Sequence, residues 1–329
     1  MARSAQSRKR RVAIVIAVSF TVAGCSMSTP ALPPSDTPSA VHEFVTGESG
    51  RADLEKISSY AWEDHGSAAA AYFTWIPRDS NSPDVPTATI AGESAHALAA
   101  FLGDEQDRLA SIGHGFLRLS HSSVGALNPN LVAAYASALV PFQGAMVGSD
   151  AGVQGFAPVK GVDVDDYSGV IGIFAAIASD PTSGEKFNKS GYDQAWTIVS
   201  RAAATGCQNA ASARSSTPVL NRAGALAGSI AAAVERPGAA KLAVLSLGEA
   251  DNEATLTVAR ECLAGDLNPP ASVKRFMDGS ALFTPEQVSQ RLGEASMTEY
   301  YNSLESYVGQ RGFGLKAFYD GFQKAAGLG

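Results

Sequence analysis

The chain has 329 residues, with 25 Lys and Arg against 32 Asp and Glu, a formal net charge of −7, and 45% hydrophobic residues. That length buries a full core as one large domain or two small ones. Its acidic balance argues against binding nucleic acid, or anionic lipid headgroups, through a general electrostatic footprint.

The first 24 residues read as an export signal. Arg3, Arg8, Lys9, Arg10 and Arg11 make a basic n-region, and Val12–Ala23 a short apolar h-region. These twelve positions cover roughly 18 Å as helix, short of a ~30 Å hydrocarbon core. The junction Val22-Ala23-Gly24-Cys25 resembles the lipobox of bacterial lipoproteins. That resemblance implies that the Cys25 thiol is diacylated and that the chain is cut just before it. Two acyl chains are the number that makes anchoring stable. The implied location is the outer face of the cytoplasmic membrane; the alternative is a non-lipidated secretory peptide with a chance cysteine. Beyond residue 24 the chain carries 20 basic against 32 acidic residues, a formal net of −12. No later apolar run approaches 18 residues free of Gly, Pro and charge, so no second span is expected.

Residues 26–38, "SMSTPALPPSDTP", are Ser/Pro-rich and aperiodic, and read as an extended tether. The tether region is placed within residues 25–50 and a helical domain from 51 to 329. Ala and Leu at helical spacing dominate thereafter. Asn128-Pro129 is a cap followed by proline, and Leu131, Tyr135, Leu139, Phe142 and Met146 make one apolar face. Pro141 should kink that helix. Asp180-Pro181 repeats the starting device, and Ser190 with Asp193 resembles a capping box ahead of Tyr192, Trp196 and Val199. Thr284-Pro285-Glu286-Gln287 is the clearest helix start. Further stripes are Val170, Phe174 and Ile177; Leu220, Ala223, Leu226 and Ile230; Tyr300, Leu304 and Tyr307; and Leu315, Phe318 and Phe322. "KLAVLSL" (241–247) suits a strand or a helix. With no alternation of strand and helix, the pattern predicts an all-α fold. It should be a single large irregular bundle of roughly eight to twelve helices, with no sustained sheet.

Cys207 and Cys262 are the cysteines beyond Cys25. In an oxidising exported compartment they read most simply as one disulfide, with two buried free thiols as the alternative. No histidine follows His121, which argues against a zinc site.

"TATIAGESAHALAAFL" (87–102) approaches the strand–elbow–helix of a serine hydrolase around Ser94. A nucleophile elbow needs G-x-S-x-G, and here the fifth position is His96. Residues i and i+2 of a helix point apart, so His96 is no base for Ser94. Ser94 is expected instead to cap a helix whose buried face is Leu98, Phe101, Leu102, Leu109 and Ile112. Ser183-Gly184-Glu185-Lys186 and Lys189-Ser190-Gly191 echo the motifs of serine β-lactamases, but lie too close in sequence to face each other across a cleft. Asp163-Val164-Asp165-Asp166 fails the EF-hand pattern at Tyr167, Ser168 and Phe174, and reads as a solvated turn before a helix at 168–178. Phosphate-cradling glycine motifs are absent, and no cofactor is expected.

In order, "YFTWIPRD" (72–79), "IAGESAHALAAFL" (90–102), "LNPNLVAAYASALVPFQGAMVG" (127–148), "GIFAAIASDPTSGEKFNKSGY" (172–192) and "NRAGALAGSI" (221–230) resemble the actinobacterial, largely mycobacterial, "TPR repeat region" family of exported helical proteins. Several relatives carry toxin or secretion-system modules alongside the helical domain; the resemblance implies an exported helical domain of unknown biochemical role and supplies no catalytic residue. The chain shows no 34-residue period and no W-x-x-L-G-x-x-Y unit, so no tetratricopeptide groove is carried over. The expectation is a non-enzymatic, lipid-anchored envelope protein with a helical binding or assembly domain. Its partners would be the membrane through Cys25 and an envelope protein, not nucleic acid. The alternatives are a pore-forming-like domain using residues 221–235, a lipid carrier, and a serine hydrolase using Ser94.

Overall fold

The computed structural model describes residues 28–114, 119–149 and 152–328; the export signal and Cys25 lie outside the described residues. Eleven helices of eight or more residues form the body among them. The first five are α1 (Pro38–Thr46), α2 (Gly50–Ser59), α3 (Val85–Asp104), α4 (Pro129–Leu139) and α5 (Ser168–Ala178). Then come α6 (Pro181–Gly206), α7 (Thr217–Ala233), α8 (Leu247–Ala264), α9 (Pro285–Leu292), α10 (Met297–Gln310) and α11 (Lys316–Ala326). One-turn helical pieces between them carry the total above the eight to twelve helices expected. Two antiparallel two-stranded ribbons complete the described residues: β1 (Ile112–His114) with β2 (Ser120–Ser122), and β3 (Met277–Asp278) with β4 (Ala281–Leu282). The fold is all-α with no sustained sheet.

The apolar stripes land in one continuous core. Leu131, Tyr135, Leu139, Phe142 and Met146 are all completely buried. Pro141 does more than kink its helix: α4 ends at Leu139, a 3₁₀ turn covers Val140–Phe142, and one fresh turn spans Gln143–Met146. A proline ring lacks the N–H and clashes with the carbonyl four residues back. Asp180 caps α6, its carboxylate accepting from the Ser183 N–H at 2.9 Å. Thr284 and Gln287 close a reciprocal capping box on α9.

Four local expectations are corrected. Ser190 starts nothing, because α6 runs unbroken from Pro181 to Gly206. Asn128 sits at the start of α4, but its buried side chain makes no cap. It donates to Ser58 O and Tyr60 O at 3.0 and 2.8 Å and accepts from Trp62 N–H, stitching α4 to the end of α2 and the segment after it. Residues 241–246 are an extended connector, and α8 then starts on a Ser246–Glu249 capping box. Finally, the body begins well before residue 51. Val41 and Val45 of α1 are buried, Leu32 packs on the core and Pro33 is buried, so the Ser/Pro segment from residue 28 is folded against the domain.

Helix α7 is the centre of the molecule. Leu220, Ala223, Leu226, Ile230 and the residues between Ala223 and Ile230 are all buried, between α5, α6 and α11. Against α11 the two backbones meet directly. A Cβ added at Gly224 would lie 1.9 Å from Phe318 O, one at Gly228 2.3 Å from Phe322 O, and one at Gly321 2.0 Å from Asn221 O. Gly224→Ala should therefore lower stability by about 2 kcal/mol despite alanine's better helix propensity. Gly309→Ala in α10, with open space around it, should be neutral or stabilising by up to about 1 kcal/mol. Thermal unfolding of both variants checks the contrast.

Buried phenols add a pH dependence. Tyr135 donates to or accepts from Ser58 Oγ at 3.0 Å, and its complete burial pushes its pKa well above the usual phenol value. Burial pushes Tyr192 up to about 12, against the Leu245 N–H that donates to its oxygen. Burial pushes Tyr307 up to about 12 as well, helped by its bond to Asp266. The fold favours the neutral phenol, so its stability is fully present below the ordinary value of about 10 and is lost as pH rises through the folded values. Ultraviolet titration should show these phenolates appearing together with loss of helix by circular dichroism, not at separate, exposed-like values.

Candidate functional site

Ser94 is neither a nucleophile on an elbow nor a helix cap. Helix α3 starts nine residues earlier, at Val85, where the Asp84 carboxylate accepts from the Thr87 N–H. Ser94 is mid-helix and completely buried, its hydroxyl donating back to Ile90 O at 2.8 Å. The hydroxyl thus satisfies its own helix. Leu98, Phe101 and Leu102 are buried on α3 as expected, while Leu109 and Ile112 are buried beyond its end. Ser183 and Lys186 lie in the first turns of α6 with Lys189 further along the same helix, so no cleft separates the two motifs.

His96 leaves Ser94 behind and reaches a cleft. Its Nδ1 lies 3.0 Å from Ala157 O, and its ring meets Phe156 edge-on at 5.3 Å. The cleft, about 850 Å³, lies between the second half of α3, the loop 158–166 and the start of α5. Asp104, Asp107, Asp163 and Asp166 face it together with Lys160 and Arg236. The acidic run singled out in the sequence is thus one wall. Its loop turns through left-handed backbone at Gly161 (φ 95°) and Asp165 (φ 58°). The Ser168 N–H donates to Asp166 at 2.9 Å, which holds that carboxyl below its usual range and opens α5 at residue 168 as expected. On the opposite wall, Asp104 accepts from Arg51 at 2.6 Å and Gln106 donates to Pro237 O at 2.9 Å. The result is a braced polar surface with carboxylates in excess, suited to holding a cationic or zwitterionic group. Among the described residues, no group of three or more His, Cys, Asp or Glu is placed to hold a metal ion.

One pairing escaped the sequence. On the β1–β2 ribbon, His114 Nε2 lies 2.8 Å from Ser122 Oγ, and strand register sets that distance. The only signal was the pair of His/Ser runs at 111–114 and 120–123. The segment 221–235 considered for membrane insertion is mostly α7, enclosed in the core. No helix of the described residues is long and apolar enough to cross a membrane.

Cys207 and Cys262 are joined in a disulfide, with Cα atoms 5.1 Å apart. It ties the end of α6 to α8, which Ser200 and Glu261 also bridge at 2.6 Å. Closing a loop with a sequence separation of 55 is worth about 4 kcal/mol on the chain-entropy account. The double variant Cys207→Ser/Cys262→Ser should unfold at clearly lower temperature. Thiol titration of the denatured, unreduced parent should detect neither cysteine.

Comparison with protein-family models, with curated proteins and with solved structures finds no match to this chain.

Proposed function

We propose that this is an exported, lipid-anchored protein of the cell envelope whose helical body works as a binding or assembly module rather than as an enzyme. The observation that carries the reading is Val22-Ala23-Gly24-Cys25 in register behind a basic stretch and a short apolar one. A disulfide across the body supports an oxidising, exported setting. The braced polar cleft beside His96 supports binding, because its loop and walls are ordered by their own hydrogen bonds. Work alongside secretion or toxin components is suggested by the modules that several relatives in the "TPR repeat region" family carry.

The anchor is tested first. Cys25→Ala should move the protein from the membrane fraction to the soluble one, and the N-terminal peptide of the parent should carry a thioether-linked diacylglycerol on Cys25. A variant that stays fully membrane-bound would defeat the reading. Photo-crosslinking of the parent in intact envelopes then tests the module: recurrent protein neighbours support it, whereas adducts with lipid alone favour a lipid carrier.

A further inference from the structure

From residue 28 onward, the segment that follows the anchor position is seated. Residues Ser28–Ala31 line a groove of about 930 Å³ together with Tyr60, Ser111, Ile112 and Gly113. Leu32 then packs on the core and Pro33 is buried. Even fully extended, the chain from Cys25 to Leu32 reaches at most about 25 Å. A domain of this size is roughly 50 Å across. A leash shorter than the body cannot present the far side of that body to the surface in which its end is held.

The lining of the groove also tolerates headgroups. The chain beyond the export signal is strongly acidic, yet from Arg108 to Ser149 it contains no Asp or Glu. That stretch supplies β1, whose Ile112 and Gly113 line the groove, and β2, whose Ser122 pairs with Ile112. Glu55 of α2, the carboxylate in the groove lining, is paired with Arg108 at 2.9 Å, and Lys56, also in the lining, with Asp53 at 2.8 Å. The groove lining thus carries two cationic side chains, Lys56 and Arg108, against the one carboxylate of Glu55, so it does not repel an anionic leaflet. Leu119, beside β2, is a large apolar side chain that is 76% exposed. Such a side chain gains by entering the headgroup boundary.

We propose that the groove and the β1–β2 ribbon form the membrane-facing side of the domain, lying on the lipid surface with Leu119 directed to it. This rests on the lipid anchor proposed for Cys25, and the occupant is a phospholipid bilayer. The cleft beside His96 then belongs to a domain held at fixed orientation rather than one tumbling on a string.

The test uses the acylated full-length protein on vesicles of phosphatidylcholine and phosphatidylglycerol containing a headgroup-attached quencher. Fluorophores are placed at Leu119→Cys, Ser111→Cys and, on α9, Leu292→Cys. Loss of fluorescence at Leu119 and Ser111 with none at Leu292 is the expected result. Co-flotation with the vesicles but equal quenching at all three sites overturns the orientation and leaves the anchor standing. Failure to co-float overturns both.

Discussion

Where α7 crosses α11, three glycines remove the side chains that would hold two helices apart, and the two backbones touch. Gly224 and Gly228 on one side and Gly321 on the other leave no room for even a methyl group. That closeness places Phe318 and Phe322 fully in the core, at roughly 2–3 kcal/mol each for the apolar surface removed from water. Phe318 reaches Trp196 of α6 at 5.8 Å between ring centres, and Trp196 stacks with Tyr192, whose hydroxyl accepts from Leu245 N–H. The connector ahead of α8 is thereby fixed by a chain of contacts that starts at the glycine crossing. The disulfide closes the same arrangement from the other end, tying α8 to α6.

Much of this body was legible because helices announce themselves through periodicity and punctuation. Asp180-Pro181 and Thr284–Gln287 carry their capping chemistry within four residues, and the structure uses it as written. Where reading failed, a long-range interaction took over a locally persuasive group. Asn128 has the right letter for a cap but spends its amide on residues 58 to 62, which no local pattern reveals. Ser94 and Ser190 look like helix starts, yet each lies inside a helix already opened upstream by an aspartate and a proline. The Ser/Pro segment looks like free tether because its composition is that of a linker; Leu32 and Pro33 seat it all the same.

The candidate site divides in the same way. Two cysteines in an otherwise thiol-poor chain were enough to suggest their bond. The cleft was not legible, since α3, the loop 158–166 and Arg236 come from three distant parts of the sequence. The acidic run gave one wall without its purpose. Likewise His114 and Ser122 become partners only once strand register is known. Periodicity locates cores well; it says little about which polar groups the core will bring together at its surface.

The crossing of α7 with α11 also sets a schedule. Asn221 bonds to Ala317, 96 residues further along the chain. At the usual pace of synthesis, α7 emerges about 5–20 s before the helix that covers it. During that interval Gly224 and Gly228 lack the α11 backbone they pack against. The glycine face of α7 is completed only by the last of the described helices, and removing the chain from Lys316 onward leaves Gly224 and Gly228 without the backbone they are shaped to meet.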